Sequence, residues 1–177
     1  TLNLAGSLAQ SRQARVLVID ADLHRPSVGE YLGFTPPHSP GLLDAIQDEG
    51  CALEQAIHRI QPLNLSVLPT IACETGAYEL LNSARFDALL NEARRRFDFV
   101  LIDTPPLVPL PDCRVLAQRV DGFIIVVAAH KTPRHVLGEA LSLVDSGKLV
   151  GTLFKGDDRP LTRYSGYDAY YGPPAIE

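Results

Sequence analysis

The chain has 177 residues, 46% of them hydrophobic and 21% charged, which is enough for one ordinary core and too little for two separate ones. The formal net charge is −5 and the basic residues are scattered, so nothing in the bulk electrostatics argues for a nucleic-acid partner or an anionic membrane surface. Cys51, Cys73 and Cys113 have no CxxC spacing, which argues for a reducing compartment and against a disulfide framework or zinc site. No apolar run approaches the roughly 20 residues that cross a bilayer. A cytoplasmic location is therefore expected, with any membrane attachment supplied by a partner or an upstream segment.

In chain order, helical spacing appears at 2–9 and is followed by a short, Val- and Ile-rich apolar run at 16–19. A proline-rich surface loop, TPPHSPG, occupies 35–41, then helical segments follow at 42–47 and 53–57. A weaker strand is expected at 65–68, a helix at 85–96, a strand at 99–102, a helix at 113–119, a strand at 123–129, a helix at 134–144 and a weaker strand at 150–154. The runs at 16–19, 99–102 and 123–129 read as strands buried on both faces, as in a parallel sheet. Strand and helix alternate throughout, which predicts an α/β, doubly wound, mostly parallel sheet. The expected organisation is one domain over 1–158 and a flexible tyrosine-rich tail over 159–177.

Two strand ends carry carboxylates. In VLVIDADLHRP a buried strand delivers Asp20 and Asp22, followed by His24, Arg25 and Pro26. Alternate residues of an extended chain share a face, so both acids can point into one site beyond the carboxyl end of the sheet, where open α/β folds bind ligands. The ordinary alternative is a strand exit in which Asp is chosen for turn or cap chemistry. In FDFVLIDTPP a second buried strand ends in Asp103 and is stopped by Pro105 and Pro106. A carboxylate there suits the outer sphere of a hydrated Mg²⁺ held between nucleotide phosphates. Either ending alone is weak; the two together within one alternating pattern are more specific.

VLVIDADLHRP resembles the Walker A′ motif, and FVLIDTPP the Walker B motif, of the deviant P-loop ATPases. With PGLLDAI, NLSVLPT, ELLNSARFDALLNEARRRFDFVLIDTPP and VDGFIIVV, essentially the whole chain is similar to the bacterial tyrosine autokinases of capsule and exopolysaccharide export. The resemblance implies an ATP- and Mg²⁺-dependent protein-tyrosine kinase with Asp20 and Asp22 as the Walker A′ acids, one helping to deprotonate the attacking phenol and both near the metal. Arg25, beside them in the same motif, joins the candidate catalytic group. Asp103 would hold Mg²⁺ through water. Lys155 falls where the family contacts the nucleotide base, although the sequence FKGDD lacks the Asn often found beside it. A membrane adaptor that regulates chain length and a ring-shaped homo-oligomer are the implied partners.

The tail, YSGYDAYYGPP, holds Tyr164, Tyr167, Tyr170 and Tyr171, four of the six tyrosines in the chain. In the family such a cluster accepts phosphate from a neighbouring subunit, each phosphate adding about −1.5 to −2 charges. The ordinary alternative is a low-complexity aromatic tail.

The glycine-rich loop GxxxxGK[ST], which cradles phosphates, does not occur in the 177 residues; the lysines are Lys131, Lys148 and Lys155. The segment 2–9 resembles the helix that follows such a loop. The resemblance thus implies an N-terminally truncated sequence, whose missing first strand would leave two sheet edges unpaired and whose activity would need the upstream residues. The alternatives are a septum-placing or partition-type ATPase switch and an interaction module that has lost nucleotide binding. His24, His38, His58, His130 and His135 have no metal-ligand spacing and are expected in loops or on the surface. Arg94 to Arg96 read as a solvated, dipole-complementing helix end.

Overall fold

In the computed structural model the described residues are 1–11, 14–34, 40–73, 75–108 and 112–156. They fall into two compact units, the first over Thr1–Asp121 and the second beginning at Gly122.

The first unit is built on β1 (Val16–Asp20), which pairs in parallel with β3 (Leu65–Leu68) on one side and β4 (Phe99–Asp103) on the other. A three-residue strand, β2 (His58–Ile60), adds antiparallel to β3, giving the order β2-β3-β1-β4. The period of two along β1 sorts its side chains onto opposite faces. Leu17 and Ile19 join one core with Leu42, Leu53, Leu81, Phe86 and Leu116. Val16 and Val18 join the other with Ala5, Ala9, Val28, Leu65 and Val67. Helix α1 (Leu2–Ala9) contributes Ala5 and Ala9 to the second core. The short helices α2 (Val28–Tyr31), α3 (Leu42–Gln47), α4 (Leu53–Ala56) and α5 (Ala77–Leu81), the long α6 (Ala84–Arg96) and α7 (Asp112–Arg119) complete the unit. Both faces of the sheet are covered, so the doubly wound expectation holds, and β1 and β3 are buried along their full lengths.

Helix α6 starts where Ser83 accepts a hydrogen bond from the Phe86 N–H at 3.1 Å, an N-cap in the usual sense. At its other end the arginines are not simply solvated. Arg94 donates to the Arg119 carbonyl, and Arg96 pairs with Glu92 one turn back at 3.0 Å and with Glu54.

The second unit pairs β5 (Phe123–Ala128) in parallel with β6 (Leu149–Lys155), joined through α8 (Arg134–Leu143) and a single 3₁₀ turn (Ser146–Lys148). Here the expectation of strands buried on both faces is corrected. On β5 only Val127 is buried, while Val126 is 53% and Phe154 of β6 63% exposed. A two-stranded sheet with one crossover helix has too few neighbours to cover two faces. The same correction applies to β4, where Phe99 is 44% exposed, because β4 has a strand partner on one side only among the described residues. The helix and strand bounds otherwise agree with the sequence expectation to within one residue at either end. α2, β2 and α5, each five residues or fewer, were not expected at all.

Candidate active site

The register that aligns β1 with β4 sets Asp20 directly opposite Asp103 at the carboxyl ends of two neighbouring parallel strands. The next peptide continues the ladder, with the Ala21 N–H donating to the Asp103 carbonyl at 2.8 Å. Asp20 is fully buried. Its Oδ2 accepts from the Ser27 and Val28 N–H groups, both at 3.0 Å, and its Oδ1 accepts from the Asp22 N–H at 3.3 Å. Burial is the largest influence on its acidity and, with the adjacent Asp103 charge, pushes the carboxyl up to about 6; the backbone donors pull the other way. Asp20 thus closes the loop that follows β1 as well as standing beside Asp103.

Asp22 lies beyond the last residue of β1, so a turn and not the strand pleat sets its direction. Its Oδ1 accepts from the N–H groups of His24 at 3.1 Å and Arg25 at 2.9 Å, while Oδ2 receives no hydrogen bond among the described residues. The turn chemistry expected of an ordinary strand exit and the convergence of acids therefore coexist in one loop. Asp103 is half-buried and accepts a hydrogen bond from the Thr1 hydroxyl at the start of α1. The N-terminal end of an eight-residue helix, with its unpaired N–H groups and partial positive charge, thereby lies next to the Asp103 carboxylate.

The donor set is oxygen only, which suits a hard cation such as Mg²⁺. Among the described residues no three His, Cys, Asp or Glu side chains are grouped so as to hold a metal ion by themselves. The arrangement fits a hydrated ion that takes part of its shell from water and phosphate, with Asp22 and Asp103 reached through water and the end of α1 facing the anionic groups.

Of the other residues singled out in the sequence, Arg25 is exposed on the same loop as Asp22. Lys155 ends β6 in the second unit and is exposed there. Tyr164, Tyr167, Tyr170 and Tyr171 lie outside the described residues.

Two residues of this neighbourhood escaped the sequence reading. Asp112, the first residue of α7, is 2% exposed, and its Oδ2 lies 2.9 Å from Nε2 of His24. His24 is in a loop, as expected, yet its ring is committed to that buried carboxylate. The only available signal was an acid at a helix start, which is too common to single out. Beside it the Cys113 thiol is buried, pushed up in pKa by that burial, and donates to the Pro105 carbonyl at 3.1 Å. A cleft of about 730 Å³ opens next to the same loop, lined by Pro26, Gly29, Phe34, His58, Pro69 and Ile71 among others.

Residues 1–145 match the model of a family described as an AAA domain. The chain is 33% identical over 173 residues to the tyrosine-protein kinase YwqD of Bacillus subtilis, covering 96% of this chain and 70% of YwqD. It is 30% identical over 172 residues to the putative tyrosine-protein kinase EpsB of Ralstonia nicotianae, again over 96% of this chain but 22% of that much longer protein. Among solved structures, the VpsO kinase domain superposes with a TM-score of 0.78 at 32% identity, covering 88% of this chain and 76% of that one. Matching in sequence over nearly its whole length and in fold, the chain belongs to the bacterial tyrosine-protein kinases, within the AAA domain family.

Proposed function

We propose that this chain is the catalytic portion of an ATP- and Mg²⁺-dependent protein-tyrosine autokinase that regulates capsule or exopolysaccharide synthesis and export. The observation that carries the reading is the pairing of Asp20 with Asp103 at adjacent strand ends, with the Asp22 loop on one side and the start of α1 on the other. Bound Mg²⁺ supplies neutralisation of the phosphate charge that builds up during transfer. Asp22 takes the proton of the incoming phenol on Oδ2 as the phenolic oxygen bonds to the γ-phosphorus. The bond from that phosphorus to the bridging oxygen breaks, and ADP leaves. Asp20 holds the loop in shape, Asp103 would orient the metal's water shell, and Arg25 lies on the same exposed loop where it can meet phosphate charge.

The acceptors in this reading are Tyr164, Tyr167, Tyr170 and Tyr171 of a neighbouring copy in a homo-oligomeric ring. The partner is a membrane adaptor of polysaccharide export, which places the kinase at the cytoplasmic face. The identity to proteins named tyrosine-protein kinases supports this over a septum-placing ATPase switch. The test is to incubate the full-length protein with Mg-ATP and map phosphate by mass spectrometry. Phosphate on the tail tyrosines, lost in Asp22→Ala, is the expected result. Its absence from all four in the wild-type protein refutes the kinase reading and leaves a nucleotide-binding or scaffolding role.

A further inference from the structure

Asp20 and Asp112 are the two buried carboxylates among the described residues, and both are spent on the same loop. Asp20 grips it from the strand side through the N–H groups of Asp22, Ser27 and Val28. Asp112 grips it from α7 through the His24 ring at 2.9 Å. Two main-chain bonds complete the fixation: Ala21 N–H to the Asp103 carbonyl and Cys73 N–H to the Leu23 carbonyl, both 2.8 Å. Within this frame Asp22 spends one oxygen on the N–H groups of His24 and Arg25. Where its second oxygen points is therefore set by where residues 24 and 25 are held.

A carboxylate buried to 2% exposure is costly unless it has a partner. The start of a helix offsets part of that cost through the unpaired N–H groups of its first turn, and the His24 ring offsets more. The ring itself is partly exposed, 37% at the side chain, so it contributes little to the hydrophobic core. The pair thus has the character of a tether whose gain is geometric.

We propose that His24 and Asp112 form a positioning pair that locks the loop after β1, so that Asp22 presents its second carboxylate oxygen to the reacting phenol. The inference rests on the reading of Asp22 as the proton acceptor. Neither member touches substrate; both act through Asp22. Loss of the tether lowers the rate of the chemical step and leaves nucleotide affinity nearly unchanged, because misplacement of a reacting group costs rate first.

The test uses the full-length protein with His24→Ala, His24→Gln and the double variant His24→Ala/Asp112→Ala, scored by autophosphorylation kinetics and by backbone amide exchange at His24 and Arg25. His24→Ala is expected to lower kcat by about 10- to 100-fold with KM for Mg-ATP within about twofold. His24→Gln, whose amide N–H can still reach Asp112, is expected to recover most of that loss. The double variant is expected to be no slower than His24→Ala, since the two residues act as one unit. Exchange at both amides is expected to quicken in His24→Ala and to return towards the wild-type rate in His24→Gln. Unchanged kcat in His24→Ala, no recovery with Gln in a folded protein, or additive losses overturn the pair's role. If the wild-type protein transfers no phosphate, the kinase reading fails, and the exchange rates alone decide whether the tether holds the loop.

Discussion

Asp20 and Asp103 stand as register partners at the ends of adjacent parallel strands, one fully buried and the other half-buried beneath the Thr1 hydroxyl. Burial is the main cost of ionising Asp20, and the neighbouring Asp103 charge adds to it, so the Asp20 carboxyl is raised from 3.8 to about 6. The geometry that brings these two carboxylates together therefore carries a cost for the folded protein.

The sign of the resulting pH dependence is opposite to that of an ordinary surface carboxylate. The folded protein holds the Asp20 proton more tightly than the unfolded chain, so the associated stability is fully present below about pH 3.8 and is lost as pH rises through about 6. A shift of that size corresponds to about 3 kcal/mol. Urea unfolding of the wild-type protein and Asp20→Asn at pH 4 and pH 7 is expected to show the wild type losing stability relative to the variant at the higher pH. A constant difference between the two refutes the assignment.

In the proposed mechanism Asp22 carries chemistry without carrying the fold. Its carboxylate is half-buried and caps two N–H groups of its own loop, so Asp22→Asn keeps the acceptor oxygen for them and removes the base. The variant is expected to lose about 10²- to 10⁴-fold in tyrosine phosphorylation. Its circular dichroism and melting temperature are expected to stay close to wild type.

Arg85 ties the start of α6 to α3 and to the segment that links α3 and α4, donating to the carbonyls of Ala45 at 2.9 Å and Cys51 at 2.8 Å. Arg85→Ala strands both acceptors and is expected to cost about 2 to 3 kcal/mol in chemical unfolding. Arg85→Lys is expected to recover less than half of that loss, because a single ammonium lacks the planar fork that reaches two carbonyls at once.

Gly41 adopts extended backbone angles open to any residue, yet a Cβ there would stand 2.4 Å from the Pro69 carbonyl oxygen, which also accepts the Leu42 N–H at 2.7 Å. Gly41→Ala must push one backbone from another, and a loss of about 1 to 3 kcal/mol is expected. Gly6, inside α1 with nothing within 4 Å of its would-be Cβ, provides the contrast. Gly6→Ala is expected to stabilise by about 0.5 to 1 kcal/mol. Thermal unfolding of the two variants side by side checks both signs.

Arg15 and Asp98 fasten the starts of β1 and β4 together through a side-chain bond at 3.0 Å and the Arg15 N–H at 2.8 Å. These bonds hold the exposed Asp98 carboxyl down to about 2. This contribution has the usual sign: it is present above about pH 3.8 and is lost as pH falls through about 2. Asp98→Asn is expected to melt slightly below wild type at neutral pH, with the gap closing in acid and narrowing in high salt.

The alternation of Val- and Ile-rich runs with amphipathic segments was sufficient to assign the α/β class, most of the element order and the two acidic strand ends, since period and punctuation are local properties of a chain. The motifs around Asp20 and Asp103 were equally legible, because their meaning lies in residue types at fixed spacing. What the tertiary structure decided is everything that depends on partners remote in sequence: the register that sets Asp20 against Asp103, the three-residue β2 that only pairing with β3 makes a strand, and the exposure of β4, β5 and β6. The bond between His24 and Asp112 belongs to the same class, for 88 residues separate them and neither stands out alone. Spacing along a chain specifies which way each segment can face, but only packing determines which other segment it meets.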